Sequence, residues 1–285
     1  MSADPLSSAV RFSPPQGQAL PVVFDSPHSG TDYPSDFNCS LDPLLLRQAE
    51  DAFIDEIFSA APGQGAPLIA ATFPRSYIDP NRATEDLDPT QIDGGWDLPT
   101  TPGPKTERGI GLVWTRLMGL HALYDRRLTR AEVLHRIETC WRPYHRRLQQ
   151  TLDNTYAAHG TVWHVNCHSM PAMGNVNTED GPVPRAQFVL GDRDGTTCAP
   201  EFTAMIETVL RDLGYDVKRN DPYKGVELVR RYANPAENRH AIQIEINRGL
   251  YLDEARVEKN GNFDRLKGDV DRLVAEICAW AKARG

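Results

Sequence analysis

Cysteine is scarce and unpaired in this chain: five residues, Cys39, Cys140, Cys167, Cys198 and Cys278, with no two spaced as C-x-x-C. An odd, scattered set excludes a disulfide framework and a zinc ribbon, so any metal must be held by histidine and carboxylate. A basic excess is lacking too. Lys and Arg number 31 against 39 Asp and Glu, a formal net charge of -8. That balance cannot displace the counterions of a phosphate backbone, and it disfavours nucleic-acid partners. No run approaches the roughly 18 apolar residues of a membrane span. Residues 1–18 show neither the basic n-region nor the apolar core of a secretory leader. These absences predict a cytoplasmic protein that acts on a small molecule, with no nucleic acid and no membrane as partner. Internal repeats, low-complexity segments and the G-x-S-x-G elbow of serine hydrolases are missing as well.

What is present reads as an ordinary globular chain, 40% hydrophobic and 25% charged, with 285 residues available to bury a core. Apolar runs ending in Pro/Gly turns predict strands at 21–24, 67–73, 161–167, 187–190, 215–219 and 241–246. Helical periodicity predicts helices at 43–61, capped by Asp42 with Pro43 in the first turn, and at 116–125, 129–158, 199–213 and 262–283. Residues 83–110 are rich in Gly, Pro, Asp and Thr and read as irregular, a functional loop or lid. Strands alternating with helices predict a single three-layer α/β domain spanning 1–285.

Two histidines end strands in Ser/Pro turns, His28 in Asp25-Ser26-Pro27-His28-Ser29-Gly30 and His168 in His168-Ser169-Met170-Pro171. A lone turn histidine usually just bonds nearby backbone; two placed alike at the edge where α/β sheets bind ligands suggest a metal. On the strand before His168, His164, Asn166 and His168 share one face, and an interior polar face needs partners. A catalytic zinc needs a third ligand. The helix after His28 offers Glu50, Asp51, Asp55 and Glu56, and Asp51 shares its face with Leu44 and Phe58, unlike a simply solvated charge. Glu245 alternates with Ile242, Ile244 and Ile246, and a strand glutamate in a covered sheet suggests a general acid or base. Asn81-Arg82 could grip a carboxylate. Arg230 and Arg231, after Tyr223-Lys224-Gly225, form another anion site, although each arginine alone would be read as a surface ion-pair partner.

The stretches Ser26-Pro27-His28-Ser29-Gly30, Glu50-Asp51, Ser76-Tyr77-Ile78-Asp79-Pro80-Asn81-Arg82, Cys167-His168-Ser169-Met170 and Gln243-Ile244-Glu245-Ile246-Asn247 together resemble the N-formylglutamate amidohydrolase family. That family is in turn similar to zinc carboxypeptidases and aspartoacylase. The resemblance implies a phosphorylase/hydrolase-like fold with a mixed central sheet. It also implies one Zn2+ or other divalent ion on His28, His168 and a carboxylate, with Asp51 first and Glu50 second. Where the carboxypeptidase group has a glutamate three residues after its first histidine, this chain has Thr31, followed by Asp32 as a further alternative. Asn81 and Arg82 would bind the substrate carboxylate and Glu245 would be the catalytic glutamate. The implied reaction is hydrolysis of an N-formyl or related N-acyl acidic amino acid to formate and the free amino acid. Oxyanion support is expected from Arg230, Arg231 or Lys224, next to Gly225. Two rival readings are a serine hydrolase using Ser26, Ser29 or Ser169, and a non-catalytic relative that binds a metal or anion.

Overall fold

The computed structural model describes residues 9–175, 178 and 180–284; the first eight residues, part of the stretch read above for a leader, lie outside these. Seven strands form one sheet: β1 (Val10–Ser13), β2 (Val22–Ser26), β3 (Leu68–Ala71), β4 (Val162–Met170), β5 (Phe188–Gly191), β6 (Val217–Arg219) and β7 (Arg239–Asn247). Their order is β1-β3-β2-β4-β7-β5-β6. β1 runs antiparallel to β3 and β5 antiparallel to β7, while the other neighbours are parallel. The helices are α1 (Pro43–Arg47), α2 (Ile54–Ile57), α3 (Pro104–Glu107), α4 (Arg130–Arg136), α5 (Arg142–His159), α6 (Pro200–Asp212), α7 (Glu227–Tyr232) and α8 (Phe263–Lys282).

The alternation of side chains along each strand sorts the core into two layers. On one face Phe24, Val165, Cys167, Ile242, Ile244 and Ile246 pack on α2, α6 and α8 through Ile54, Phe202, Ile206, Val270 and Leu273. The other face carries Val23 and Ile69 against Tyr144, Leu148, Leu228 and Tyr232 of α5 and α7. The result is the three-layer α/β arrangement that the pattern predicts, with the mixed central sheet that the family resemblance implies. No helix among the described residues is long and apolar enough to cross a membrane.

Three expectations need correction. The predicted helix at 43–61 is broken into α1 and α2, because the Asp51 N–H bonds the His28 carbonyl at 3.0 Å and Phe53 takes the left-handed region at φ 64. The predicted helix at 116–125 is instead a small antiparallel ladder, Arg116–Leu117 with His121–Ala122; Met118 at φ 54 and Gly119 at φ 72 turn the chain where a helix would need negative φ. The strand β1 was not foreseen; it is a four-residue edge strand whose Phe12 is exposed, too short to show a clear alternation. The helix predicted at 129–158 is continuous, but a π-helical turn, Ile137–Trp141, interrupts it between α4 and α5. Pro143 lies just beyond that turn. Its ring cannot follow the carbonyl four residues back, and the wider turn removes the clash. Within 83–110 regular structure is confined to a 3-10 turn at Pro89–Gln91, a two-residue strand at Ile92–Asp93 and α3.

Candidate metal centre and active site

The buried face of β2, β4 and β7 carries a polar patch where an apolar one would be expected. Asp25 faces Asn166 in register, Gln243 faces Asn166 from the other side, and Glu245 faces His168. Buried polar groups must find partners, and these do. Asp25 Oδ1 accepts from His164 Nε2 at 2.7 Å and Asn166 Nδ2 at 2.9 Å, while Asp25 Oδ2 accepts from the Tyr144 hydroxyl at 2.6 Å. Burial alone would raise the Asp25 carboxyl, but its contacts with His164, Tyr144 and Asn166 together outweigh it and hold the carboxyl below its usual range. Two turns bring further groups onto this patch. One carries His28 just past β2, where Gly30 is required: a Cβ there would lie 2.3 Å from the Phe73 carbonyl oxygen. The other is the helix break at Asp51.

His28 Nδ1 and His168 Nδ1 lie 3.3 and 2.9 Å from the same oxygen, Asp51 Oδ2, with ring centroids 4.7 Å apart. The hydrogen-bond network assigns the protons. His28 Nε2 lies 2.7 Å from Asp79 Oδ1, which also accepts from the Asn81 N–H, so Nε2 donates. His168 Nε2 lies 2.7 Å from Asn166 Oδ1. That atom must be oxygen, because Asn166 Nδ2 is committed to Asp25. Asn81 Nδ2 also approaches His168 Nε2, but at 3.3 Å, and the shorter contact decides that Nε2 carries the proton. Burial pushes the His168 imidazole down to about 4, so it is neutral at pH 7.

Both Nδ1 atoms therefore present lone pairs to a carboxylate oxygen. Three acceptors this close repel one another unless a cation lies among them. Two imidazoles and one carboxylate match the donor set of a catalytic zinc site. Asp79 and Asn166 sit where outer partners orient metal-binding histidines. The residues thus fit a divalent ion, and this is the one such cluster of three among the described residues.

Arginines surround the cluster, Arg248 buried and Arg75 partly buried. Arg248 Nη2 donates to Asp51 Oδ1 at 2.9 Å, and Arg75 Nη2 donates to Asp79 Oδ2 at 2.9 Å with its Nη1 3.5 Å from Asp51. Burial would raise the Asp51 carboxyl, yet the positive charge around it, the Arg75 guanidinium foremost, holds it well below the carboxylate range. Asp79 is held down likewise, burial being outweighed first by Arg75 and then by His28 and Arg82. Glu245 behaves oppositely. Burial and the negative Asp51 push its carboxyl up to about 8, against the pull of Arg75, Arg248 and Arg185. Gln243 Nε2 holds one of its oxygens at 2.9 Å.

The structure therefore gathers His28, Asp51, His168, Asn81 and Glu245 at one place. Arg82 lies beside them but spends Nη1 on the Asn81 carbonyl and Nε on that of Ile110. Of the alternative carboxylates, Glu50 accepts from the Tyr33 hydroxyl at 2.6 Å and Asp32 is exposed. The anion site expected at Arg230, Arg231 and Lys224 is not brought in. Arg230 and Arg231 both pair with Glu227 on the outer side of α7, and Lys224 pairs with Asp194 at the surface; Gly225 serves a left-handed turn at φ 88. Asp79, Arg75 and Arg248 were missed as site residues. Arg248 follows β7 directly, at the strand end where His28 and His168 also lie, and that signal could have found it. The serines are engaged elsewhere, Ser26 with Ser29 and Ser169 with Arg248, while Asp51, Asp79 and Asn166 occupy the imidazole nitrogens. That arrangement pairs none of these three serines with His28 or His168.

Comparison with known proteins follows the same line. A family model described as N-formylglutamate amidohydrolase matches residues 20–252. A crystal structure of N-formylglutamate amidohydrolase from Ralstonia eutropha is 46% identical, covers 98% of this chain and 100% of its own, and superimposes with a TM-score of 0.93. The N-formylglutamate deformylase of Pseudomonas putida is 27% identical over 275 residues, 93% of this chain and 95% of that protein. A gene product of Agrobacterium tumefaciens, 18% identical with 96% of each chain covered and a TM-score of 0.69, shares the fold.

Proposed function

The chain belongs to the N-formylglutamate amidohydrolase family, and from that premise we propose that it hydrolyses the formyl amide of N-formyl-L-glutamate, or of a closely related N-acyl acidic amino acid, with the help of one divalent ion. The observation that carries the metal dependence is the convergence of His28 Nδ1, His168 Nδ1 and Asp51 Oδ2. When bound, a zinc ion would supply the Lewis acidity that polarises the amide carbonyl and makes a water nucleophilic near neutral pH.

The protein's own groups do the rest. Glu245, beside His168 in register, takes a proton from the attacking water and delivers it to the leaving nitrogen. Burial raises its carboxyl above the ordinary glutamate range, toward the neutrality that suits both directions of transfer. With a divalent ion bound, the positive charge of that ion and of Arg75, Arg82 and Arg248 would exceed the negative charge of Asp51, Asp79 and Glu245, so the site favours an anionic substrate. Asn81 and Arg82 orient the substrate carboxylate. Support of the tetrahedral oxyanion falls to Arg75, the guanidinium that faces both Asp51 and Asp79, instead of Arg230, Arg231 or Lys224.

The test is formate release from N-formyl-L-glutamate, with metal content measured on the same sample. Turnover should vanish on chelation, return with Zn2+, and fall sharply for N-formyl-L-alanine. Full turnover by metal-stripped protein defeats the metal reading. No turnover of any N-acyl acidic amino acid defeats the activity and favours a binding relative.

A further inference from the structure

Behind His168 the hydrogen bonds run two residues deeper into the sheet, to Asn166 on β4 and then to Asp25 on β2. We infer that Asp25 is a positioning residue of the proposed metal centre: it fixes the direction of the Asn166 side-chain amide and, through it, the tautomer of His168. The inference rests on the metal-centre reading above. The two ends of an Asn amide have almost the same shape, so packing alone barely distinguishes them. If the Asn166 amide turned over, its Nδ2 would face His168 Nε2 at the 2.7 Å now held by the oxygen. Nε2 would then have to accept, and the ring proton would move to Nδ1, onto the lone pair that faces Asp51.

Asp25 prevents this. An ionised carboxylate only accepts, and its Oδ1 lies 2.9 Å from the Asn166 amide nitrogen. The carboxylate is itself held, by His164 Nε2 at 2.7 Å and the Tyr144 hydroxyl at 2.6 Å. All four side chains are buried. Of the three side chains that bond Asp25, Asn166 is the one that also bonds a proposed metal ligand.

The test exchanges the two groups. In Asp25→Asn the new amide can donate to Asn166 Oδ1, which permits the turned amide. Long-range 15N spectra of the metal-free protein should then show His168 moving from the Nε2–H to the Nδ1–H form. Zn2+ affinity should fall by about tenfold or more, the loss typical of an outer partner of a metal ligand. Adding Asn166→Asp restores an acceptor for His168 and a partner for the new amide. His164, whose Nδ1 has no partner, can adopt its other tautomer beside it. The double variant should recover Zn2+ affinity to within about threefold of the parent, a rescue that a merely structural loss would not show.

Zn2+ binding by the parent tests the centre itself, whereas the His168 tautomer is read without metal, so the two failures are distinguishable. An Nδ1–H form in the parent overturns the inference, as does unchanged affinity in Asp25→Asn, or a double variant as weak as the single one. If the single variant does not fold, the double variant decides alone. If neither folds, Asp25 serves the fold and the positioning role is overturned.

Discussion

Glu245 and Arg82 hold different parts of the proposed reaction, and steady-state kinetics separates them. Glu245→Gln keeps the shape and removes the proton carrier. Its kcat should fall by about 10²- to 10⁴-fold with little change in KM, and a kcat within tenfold of the parent would remove Glu245 from the proton path. Arg82→Ala should mainly raise KM, because a ground-state contact to the substrate carboxylate is lost. Arg230→Ala and Arg231→Ala serve as the contrast. Both guanidinium groups are exposed and pair with Glu227 away from the cluster, so each should leave kcat/KM within about twofold of the parent. A large loss at either would return the oxyanion role to α7. His28, His168 and Glu245 were legible in the sequence because strand-end turns and strict alternation mark them locally. Arg75, Asp79 and Arg248 were not, since an arginine's partners depend on what the fold sets opposite it: Arg248 meets Asp51 across 197 positions of chain.

Among the elements, the break between α1 and α2 is the decisive departure from local pattern. The stripe Leu45, Ala49, Phe53, Ile57 and Ala60 predicts one continuous helix, yet the Asp51 N–H leaves the helical ladder for the His28 carbonyl. One tertiary hydrogen bond ties the two turns that carry His28 and Asp51. The same turn depends on Gly30, whose missing Cβ admits the backbone of Thr72 and Phe73. Gly30→Ala should therefore destabilise the protein by about 1–3 kcal/mol in urea unfolding, and it should weaken Zn2+ binding as His28 shifts. Unchanged stability and binding would show that the turn has room to spare. Six of the seven strands of the central sheet, all but the edge strand β1, were read nearly to their ends, because buried apolar runs bounded by Pro/Gly turns have few alternatives. The small ladder at Arg116–Ala122 was misread, because its turn rests on the positive φ of Met118, which residue type does not announce.

For the molecule as a whole, the sheet holds opposing charges whose titration sets its stability. The Glu245 carboxyl is raised from an ordinary value of 4.5 to about 8. The folded metal-free state therefore binds more protons than the unfolded state between those values, and stability falls as pH rises through that window. Asp51 and Asp79 have the opposite sign: their contribution is present above the usual carboxylate range and is lost as pH falls through their lowered values. Metal-free Glu245→Gln should accordingly unfold a few degrees above the parent at pH 9, with the gap closing toward pH 5. Equal melting temperatures across that range would contradict a raised Glu245. Zn2+ at about 100 times its Kd should raise the melting temperature of the parent by roughly 5–10 °C. Both effects originate in one place, the carboxyl ends of β2, β4 and β7. The most direct test of the convergence proposed there is an anomalous difference map measured at the zinc edge from Zn2+-loaded crystals. The account predicts a single peak about 2.0–2.2 Å from His28 Nδ1, His168 Nδ1 and Asp51 Oδ2; a peak elsewhere, or none at these three atoms in fully loaded protein, would contradict it.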